Sequence, residues 1–263
     1  MSFTAKDVQA LRQATGAGMM DAKKALVENG GDFDAAGKWL REKGLAKSAE
    51  RADRANTQGA VAIGVADGAA AVAELKCETD FVAKSEQFVE LVEAIARSVA
   101  AEGEAGAEAH REAIDDLKVS LKENIELGRV ARVAIPEGSV SDTYLHRQEG
   151  RGVNGVIVVL DGGSDELAHD VAVHAAFTKP PYLRRADVPE ALVAEERSTL
   201  ESITRAEGKP EQAIAKIVEG RLNAWFKDRV LLEQPFVRDD KQTITQLLGD
   251  HELVELAQVY IGS

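Results

Sequence analysis

The sequence predicts an α+β fold, with a helical amino-terminal module ahead of a core in which short strands alternate with amphipathic helices. Three observations predict it. Residues 1–54 place their apolar side chains at helical spacing. From Ala60 the period shortens to that of strands separated by turns. A charged helical pair then interrupts the second half of the core. The expected division is a three-helix module and linker over 1–54 and a first core subdomain over 55–150. A second core subdomain covers 151–188 and 229–263, with a helical hairpin over 189–228.

Thr4-Ala5-Lys6-Asp7 reads as a capping-box start, and Val8 and Leu11 continue an apolar stripe. Thr15-Gly16-Ala17-Gly18 breaks that helix. A second helix over 19–28 stops at Asn29-Gly30-Gly31. Asp32 can cap a third, expected to pack Phe33, Ala36 and Leu40 on one side. Residues 43–54 read as a polar, alanine-rich linker.

The next segment is strand-like. Residues 60–65 and 71–75 are short apolar runs, and Asp67-Gly68 between them is a hairpin turn. A helix over 85–101 spaces Phe88, Leu91, Val92, Ile95 and Val99 along one face. A further helix is expected over 108–121, then strands over 130–135 and 140–145 around Pro136-Glu137-Gly138. The alternation recurs with a strand over 153–160 and a helix that Ser164 can cap, running to Ala176. Residues 189–206 and 211–228 form an antiparallel helical hairpin about Gly208-Lys209-Pro210, and a last strand over 253–261 returns to the second sheet.

Composition excludes several classes. Lys and Arg number 32 against 45 Asp and Glu, a net charge of −13. A surface this acidic repels phosphate backbones, so direct nucleic-acid binding is not expected. The charge is uneven: 10 basic and 8 acidic residues fall within 1–54. No apolar run is long enough to span a membrane, and the first residues lack the pattern of a secretory signal. Cys77 is the only cysteine, which fits a cytoplasmic location and a buried apolar role on a strand.

Enzymatic signatures are missing. There is no phosphate-binding Gly-x-x-x-x-Gly-Lys-[Ser/Thr] loop and no Gly-x-Ser-x-Gly elbow. Gly16-x-Gly18 lacks a third glycine and follows no strand. His169 and His174, five apart on a helix, fall on different faces, a poor metal arrangement. No catalytic residue, cofactor or metal is therefore expected. One local feature draws interest: Thr79-Asp80-Phe81-Val82 lies between a strand and a helix. Either Thr79 or Asp80 caps that helix with Phe81 packed beneath, or Asp80 and Phe81 stand at a loop tip where a partner meets them.

Leu11-Arg12-x-x-Thr15-Gly16-Ala17-Gly18-Met19-Met20-Asp21-Ala22-Lys23-Lys24-Ala25-Leu26 resembles the amino-terminal signature of the bacterial elongation factor Ts family. Cys77-x-Thr79-Asp80-Phe81-Val82-Ala83-Lys84 resembles its second signature. Glu219-Gly220-Arg221-Leu222 with Glu233-Gln234-Pro235-Phe236-Val237 resembles its third. The resemblance implies a ubiquitin-associated-like module over 1–54 and two α+β subdomains with antiparallel sheets, the hairpin inserted in the second. It implies guanine-nucleotide exchange on elongation factor Tu, by protein contact and without covalent chemistry. On this likeness Thr79, Asp80, Phe81 and Val82 would form a wedge against the GTPase. Arg12, Met19 and Met20 would anchor the amino-terminal module, and His146, Phe236 and Val237 would face the partner from the core. A homodimer is left open.

The chain departs from the family pattern in places. Ala22 stands where Cys is frequent, and Lys122-Glu123-Asn124 where Gly-Glu-Asn is frequent; paired arginines are frequent near Gly128-Arg129. Some members continue into a C-terminal helical module, and here the sequence given stops at Ser263, soon after the last expected strand. The rival reading is an adaptor that binds a protein ligand through residues 1–54, with Met19-Met20 and Trp39-Leu40 as its contacts. Exposure of Asp80-Phe81 separates the two, because an adaptor does not need it.

Overall fold

Thr4 and Asp7 close the first helix reciprocally. The Asp7 amide donates to the Thr4 hydroxyl at 3.3 Å, and the Thr4 amide donates to the Asp7 carboxylate at 2.6 Å. In this computed structural model, which describes residues 3–262, that helix is α1, Ala5–Thr15. α2 covers Met19–Glu28 and α3 covers Phe33–Ala49, capped by the Asp32 carboxylate on the Ala35 amide. Val8, Leu11, Ala22, Ala25, Leu26, Ala36 and Leu40 form the core of this module. Phe33 does not join them. It is the first residue of α3, with no preceding turn to lean on, and it stands exposed.

The expected strands and helices follow in order, with two short helices, Asp80–Ala83 and Glu104–Glu108, that the sequence pattern did not suggest. β1 (Gln58–Ala66) and β2 (Ala69–Cys77) pair antiparallel through the Asp67-Gly68 turn, and Gly68 takes φ 67° there. After them come α4 (Asp80–Ala83), α5 (Glu86–Glu102), α6 (Glu104–Glu108) and α7 (Arg111–Leu121). β3 (Glu126–Ala134) completes a sheet of order β1-β2-β3. Phe88, Val92, Ile95 and Val99 of α5 pack on Ala60, Ala62, Ala71, Ala73 and Leu75. The alanine-rich sheet face lets the helix approach closely. At Gly64 a Cβ would sit 2.3 Å from the Ala96 carbonyl oxygen, so only glycine fits.

Residues 43–54, expected as a linker, are helical as far as Ala49. Good helix formers at Leu45, Ala46, Lys47 and Ala49 favour this, and packing fixes it. A Cβ at Gly44 would lie 2.5 Å from Val119 Cγ1, so α3 runs close along α7. Arg41 of α3 also pairs with Asp116 at 3.1 Å and with Glu112. α7 ends on Lys122, a non-glycine residue at φ 61° in the left-handed region.

β4 (Val140–Gln148) and β5 (Arg151–Leu160) lead into α8 (Asp165–Thr178), capped by Ser164. The hairpin is α9 (Glu190–Ala206) and α10 (Glu211–Arg229). Leu222, Trp225 and Phe226 bury against Val188 and Val230, with Leu192, Val193 and Leu200 of the first arm alongside. Beyond it lie β6 (Pro235–Phe236), β7 (Asp239–Thr243) and α11 (Ile244–Leu248), which the sequence pattern did not suggest. β8 (Leu253–Tyr260) gives a second sheet of order β4-β5-β8. Val156, Val158 and Leu160 meet Val171, Ala172 and Ala175 of α8 there, and Phe236, Ile244 and Leu253 close the cluster.

The chain forms two compact units. One holds the chain up to Ala134, Leu145–Gly155 and the end from Val259; the other holds Ile135–Tyr144 and Val156–Gln258. Among the described residues no helix is long and apolar enough to cross a membrane.

Gly64→Ala tests the close approach of α5 to β1. The added methyl meets backbone rather than a flexible side chain, so a loss of about 1–3 kcal/mol is expected. Urea denaturation measures it; an unchanged midpoint would contradict the packing described.

Candidate functional site

The turn after β2 is held from below. Cys77 ends the strand buried, its thiol donating to the Thr79 carbonyl at 3.2 Å. Burial, with Glu123 nearby, pushes that thiol up to about 12, so it stays protonated and unreactive. Thr79 is the cap of α4: its hydroxyl oxygen accepts from the Val82 amide at 3.3 Å and its proton goes to Glu123 at 2.5 Å. The other oxygen of Glu123 accepts from the amides of Glu78 at 3.0 Å and Thr79 at 3.1 Å. One carboxylate thus satisfies two backbone donors and a hydroxyl, charge-assisted bonds of the stronger kind.

The next residue continues the clamp. The Asn124 amide donates to the Glu78 carboxylate at 2.7 Å. Its side-chain nitrogen donates to the carbonyls of Ala52 at 3.0 Å and Arg54 at 2.9 Å. Three chain segments, around 52–54, 78–79 and 123–124, therefore meet at the base of the turn. Ala83 is buried and Val82 partly so, both against the core cluster.

Phe81 points away from this base and is 82% exposed. Of the two readings left open by the sequence, the structure has the cap at Thr79 but not Phe81 packed beneath it. Asp80 is the first helical residue, not the cap. Its carboxylate bonds the Lys84 ammonium at 2.7 Å, and Lys84 also pairs with Glu149 at the turn between β4 and β5. The Lys84 bond holds Asp80 below the usual carboxylate range, and Asp80 and Glu149 together raise Lys84. The tip thus presents a bare aromatic ring beside a carboxylate that is already engaged.

The other expected residues fall at different places. Arg12 is exposed in the last turn of α1, and Met19 and Met20 open α2 across the Gly16–Gly18 turn, 47% and 76% exposed. His146 is exposed on β4. Phe236, expected to face a partner, is only 4% exposed. It fills the second core cluster, its ring 6.1 Å from that of His174, because this short strand turns its apolar side chain inward. Val237 beside it is 42% exposed.

Glu123, Asn124, Lys84 and His174 carry structural roles at or near these positions that were not read from the sequence. For Lys84 a signal existed, since Asp80 stands four residues earlier on a helix. Glu123 lies 44 residues from Thr79, and no local pattern connects them. His174 is fully buried. Its Nδ1 accepts from the Val237 amide at 3.3 Å, which places the proton on Nε2, donating to Gln234 at 2.9 Å.

Comparison with known proteins places these features in context. A family model described as Elongation factor TS matches residues 78–262, so the Thr79–Lys84 turn lies within it and the amino-terminal helices outside. The chain is similar to Elongation factor Ts of Kineococcus radiotolerans, 46% identical over 260 residues and 94% of each chain. It is 43% identical over 275 residues to that of Acidothermus cellulolyticus, covering 99% of each. To that of Mycobacterium marinum it is 48% identical over 261 residues, 95% of this chain and 93% of the other.

Burial lowers the pKa of His174 below its ordinary 6.5. The unfolded chain then binds the proton more readily. The stabilisation is complete above 6.5, and as the pH falls below that value it is lost until the folded value is passed. The thermal midpoint of the protein should drop more steeply from about pH 7 to about pH 5 than that of His174→Gln. Parallel curves would contradict a buried, neutral His174.

Proposed function

Because this chain belongs to the elongation factor Ts family, we propose that it promotes guanine-nucleotide exchange in translation elongation by releasing GDP from elongation factor Tu. The observation that carries the reading is Phe81, a large aromatic held in solvent on a turn whose base is hydrogen-bonded to Glu123. Leaving such a ring exposed has no benefit for the isolated chain. Against a partner it supplies an aromatic anchor of about 2–4 kcal/mol.

An exchange factor must bind the nucleotide-free GTPase better than the GDP-bound one, and GDP must weaken the factor's binding by the same ratio. Speeding release by ~10⁴ requires lowering the barrier by roughly 5.5 kcal/mol. One anchor falls short, so binding at other places has to contribute. Phe81 inserts between elements of the GTPase's nucleotide domain, with Val82 and Thr79 fixing its direction. Asp80 acts on the polar surroundings of the partner's Mg²⁺ and phosphates. To do so its carboxylate trades the Lys84 ammonium for the partner's groups, an exchange of one charged contact for another at an exposed site. Arg12, Met19 and Met20 anchor the amino-terminal module, the flexible methionines suiting an adaptable apolar contact. His146 and Val237 offer contacts from the core surface.

No covalent step is needed, and the chain acts by contact alone. The hairpin α9–α10 uses its apolar stripe internally, so its charged exterior is dispensable for exchange on the isolated GTPase. An adaptor working through residues 1–54 would give no task to the exposed ring of Phe81.

Phe81→Ala is expected to reduce stimulated release of labelled GDP from elongation factor Tu by roughly 30-fold or more, the kinetic equivalent of losing one anchor. The thermal midpoint should stay unchanged, because the ring makes little contact with its own chain. Undiminished stimulation would remove the wedge from the account.

A further inference from the structure

A second feature lies apart from the Thr79–Lys84 turn. Between the Gly16–Gly18 turn, the C-terminal half of α3 and the end of α7 is a cavity of about 300 Å³. Four cationic side chains line it, Lys43, Lys47, Arg51 and Lys122, against one carboxylate, Asp21. Among the described residues none of the four is in an ion pair, although Arg41, on the same helix as Lys43 and Lys47, is, with Glu112 and Asp116. Lys43 lies over the Trp39 ring at 4.6 Å. Arg51 donates to the Lys122 carbonyl at 3.1 Å, and its Nε is buried with no partner. Four cations gathered around one hollow with a single carboxylate make a local positive field in a chain whose net charge is −13.

The backbone adds to the same field. α2 starts on Gly18, which lines the cavity; no side chain hydrogen-bonds its first amides, although Asp21 stands in its first turn. Lys122 holds a left-handed φ of 61°, where glycine would carry no strain, and so places its cation on the wall. We propose that this cavity binds a small ligand bearing a diphosphate group, seated by Lys47, Arg51 and Lys122 with the opening amides of α2. Lysine meets phosphate as a point charge and arginine as a fork of donors. Several cations opposed by one carboxylate favour a multiply charged anion over a single carboxylate. The inference concerns the chain alone and does not rest on exchange activity.

Calorimetric titration of pyrophosphate into the full chain at physiological ionic strength tests it, with sulfate as a simple dianion control. One saturable site is expected, with sulfate bound much more weakly. A parallel titration with ADP separates the two sources: tighter binding of ADP assigns a nucleotide, and tighter binding of pyrophosphate assigns the free diphosphate. Lys47→Gln and Lys122→Gly should each weaken binding roughly five- to tenfold, the effect of one charge-assisted contact at a solvent-accessible wall. Lys122→Gly should also raise the thermal midpoint, since it removes backbone strain, so a weakened site cannot be ascribed to a damaged fold. No saturable binding, equal binding of sulfate, or affinities unmoved in both variants would overturn the proposal. So would saturable binding of a glutamate-rich peptide without binding of pyrophosphate, which would assign the surface to a protein partner.

Discussion

The exposed aromatic depends on one carboxylate. Glu123 receives the amides of Glu78 and Thr79 and the hydroxyl of Thr79, donors that the end of a strand and the start of a helix would otherwise leave to water. Without that acceptor the amides of Glu78 and Thr79 lose their partner, and the four-residue helix α4, too short to be stable by itself, rests on its remaining contacts. With it, the direction of Phe81 is set by bonds reaching to the segment after α7 and, through Asn124, to the carbonyls of Ala52 and Arg54. The same segment that carries Glu123 begins with the strained Lys122, so the backbone there is bent to deliver the carboxylate.

This arrangement suits the proposed exchange by protein contact. A ring on a flexible loop loses part of its contact energy to ordering, whereas a ring held in place keeps it. The Lys84 bridge between Asp80 and Glu149 restrains the far side of the same turn. The amino-terminal module is fixed along α7 by Arg41 and by the close contact at Gly44, so Met19 and Met20 are presented from a firm support. Exposed apolar side chains on a rigid frame are what a surface needs to distort a partner instead of being distorted by it.

Much of the fold was legible locally. The Thr4 capping box, the Asp67-Gly68 hairpin and the α10 stripe of Ile214, Ile217, Val218, Leu222 and Trp225 are legible in the spacing, and of that stripe only Ile217 is left half-buried. The failures come from tertiary contact and from elements too short to show a period. Residues 43–49 read as a polar linker because their partner Val119 lies far along the chain. Residues 235–248 form strands of few residues with charges at Asp239, Asp240 and Lys241, too short for any period to register. At the candidate site the tip residues Asp80 and Phe81 could be picked out, yet the sequence could not decide whether Phe81 was packed or exposed. That outcome rests on Glu123, whose bonds span more than forty residues. Phe236 shows the converse, since an aromatic inside a recognisable motif proved to be core.

The central claim is that Glu123 contributes to exchange only by holding Phe81 in position. A double-mutant cycle on stimulated GDP release from elongation factor Tu tests it, using Glu123→Ala, Phe81→Ala and the pair. The account predicts that Glu123→Ala slows release strongly in the parent chain and adds little once Phe81 is alanine. Two independent losses that sum in the double variant would contradict it, because Glu123 would then act on the partner by a route that bypasses the ring.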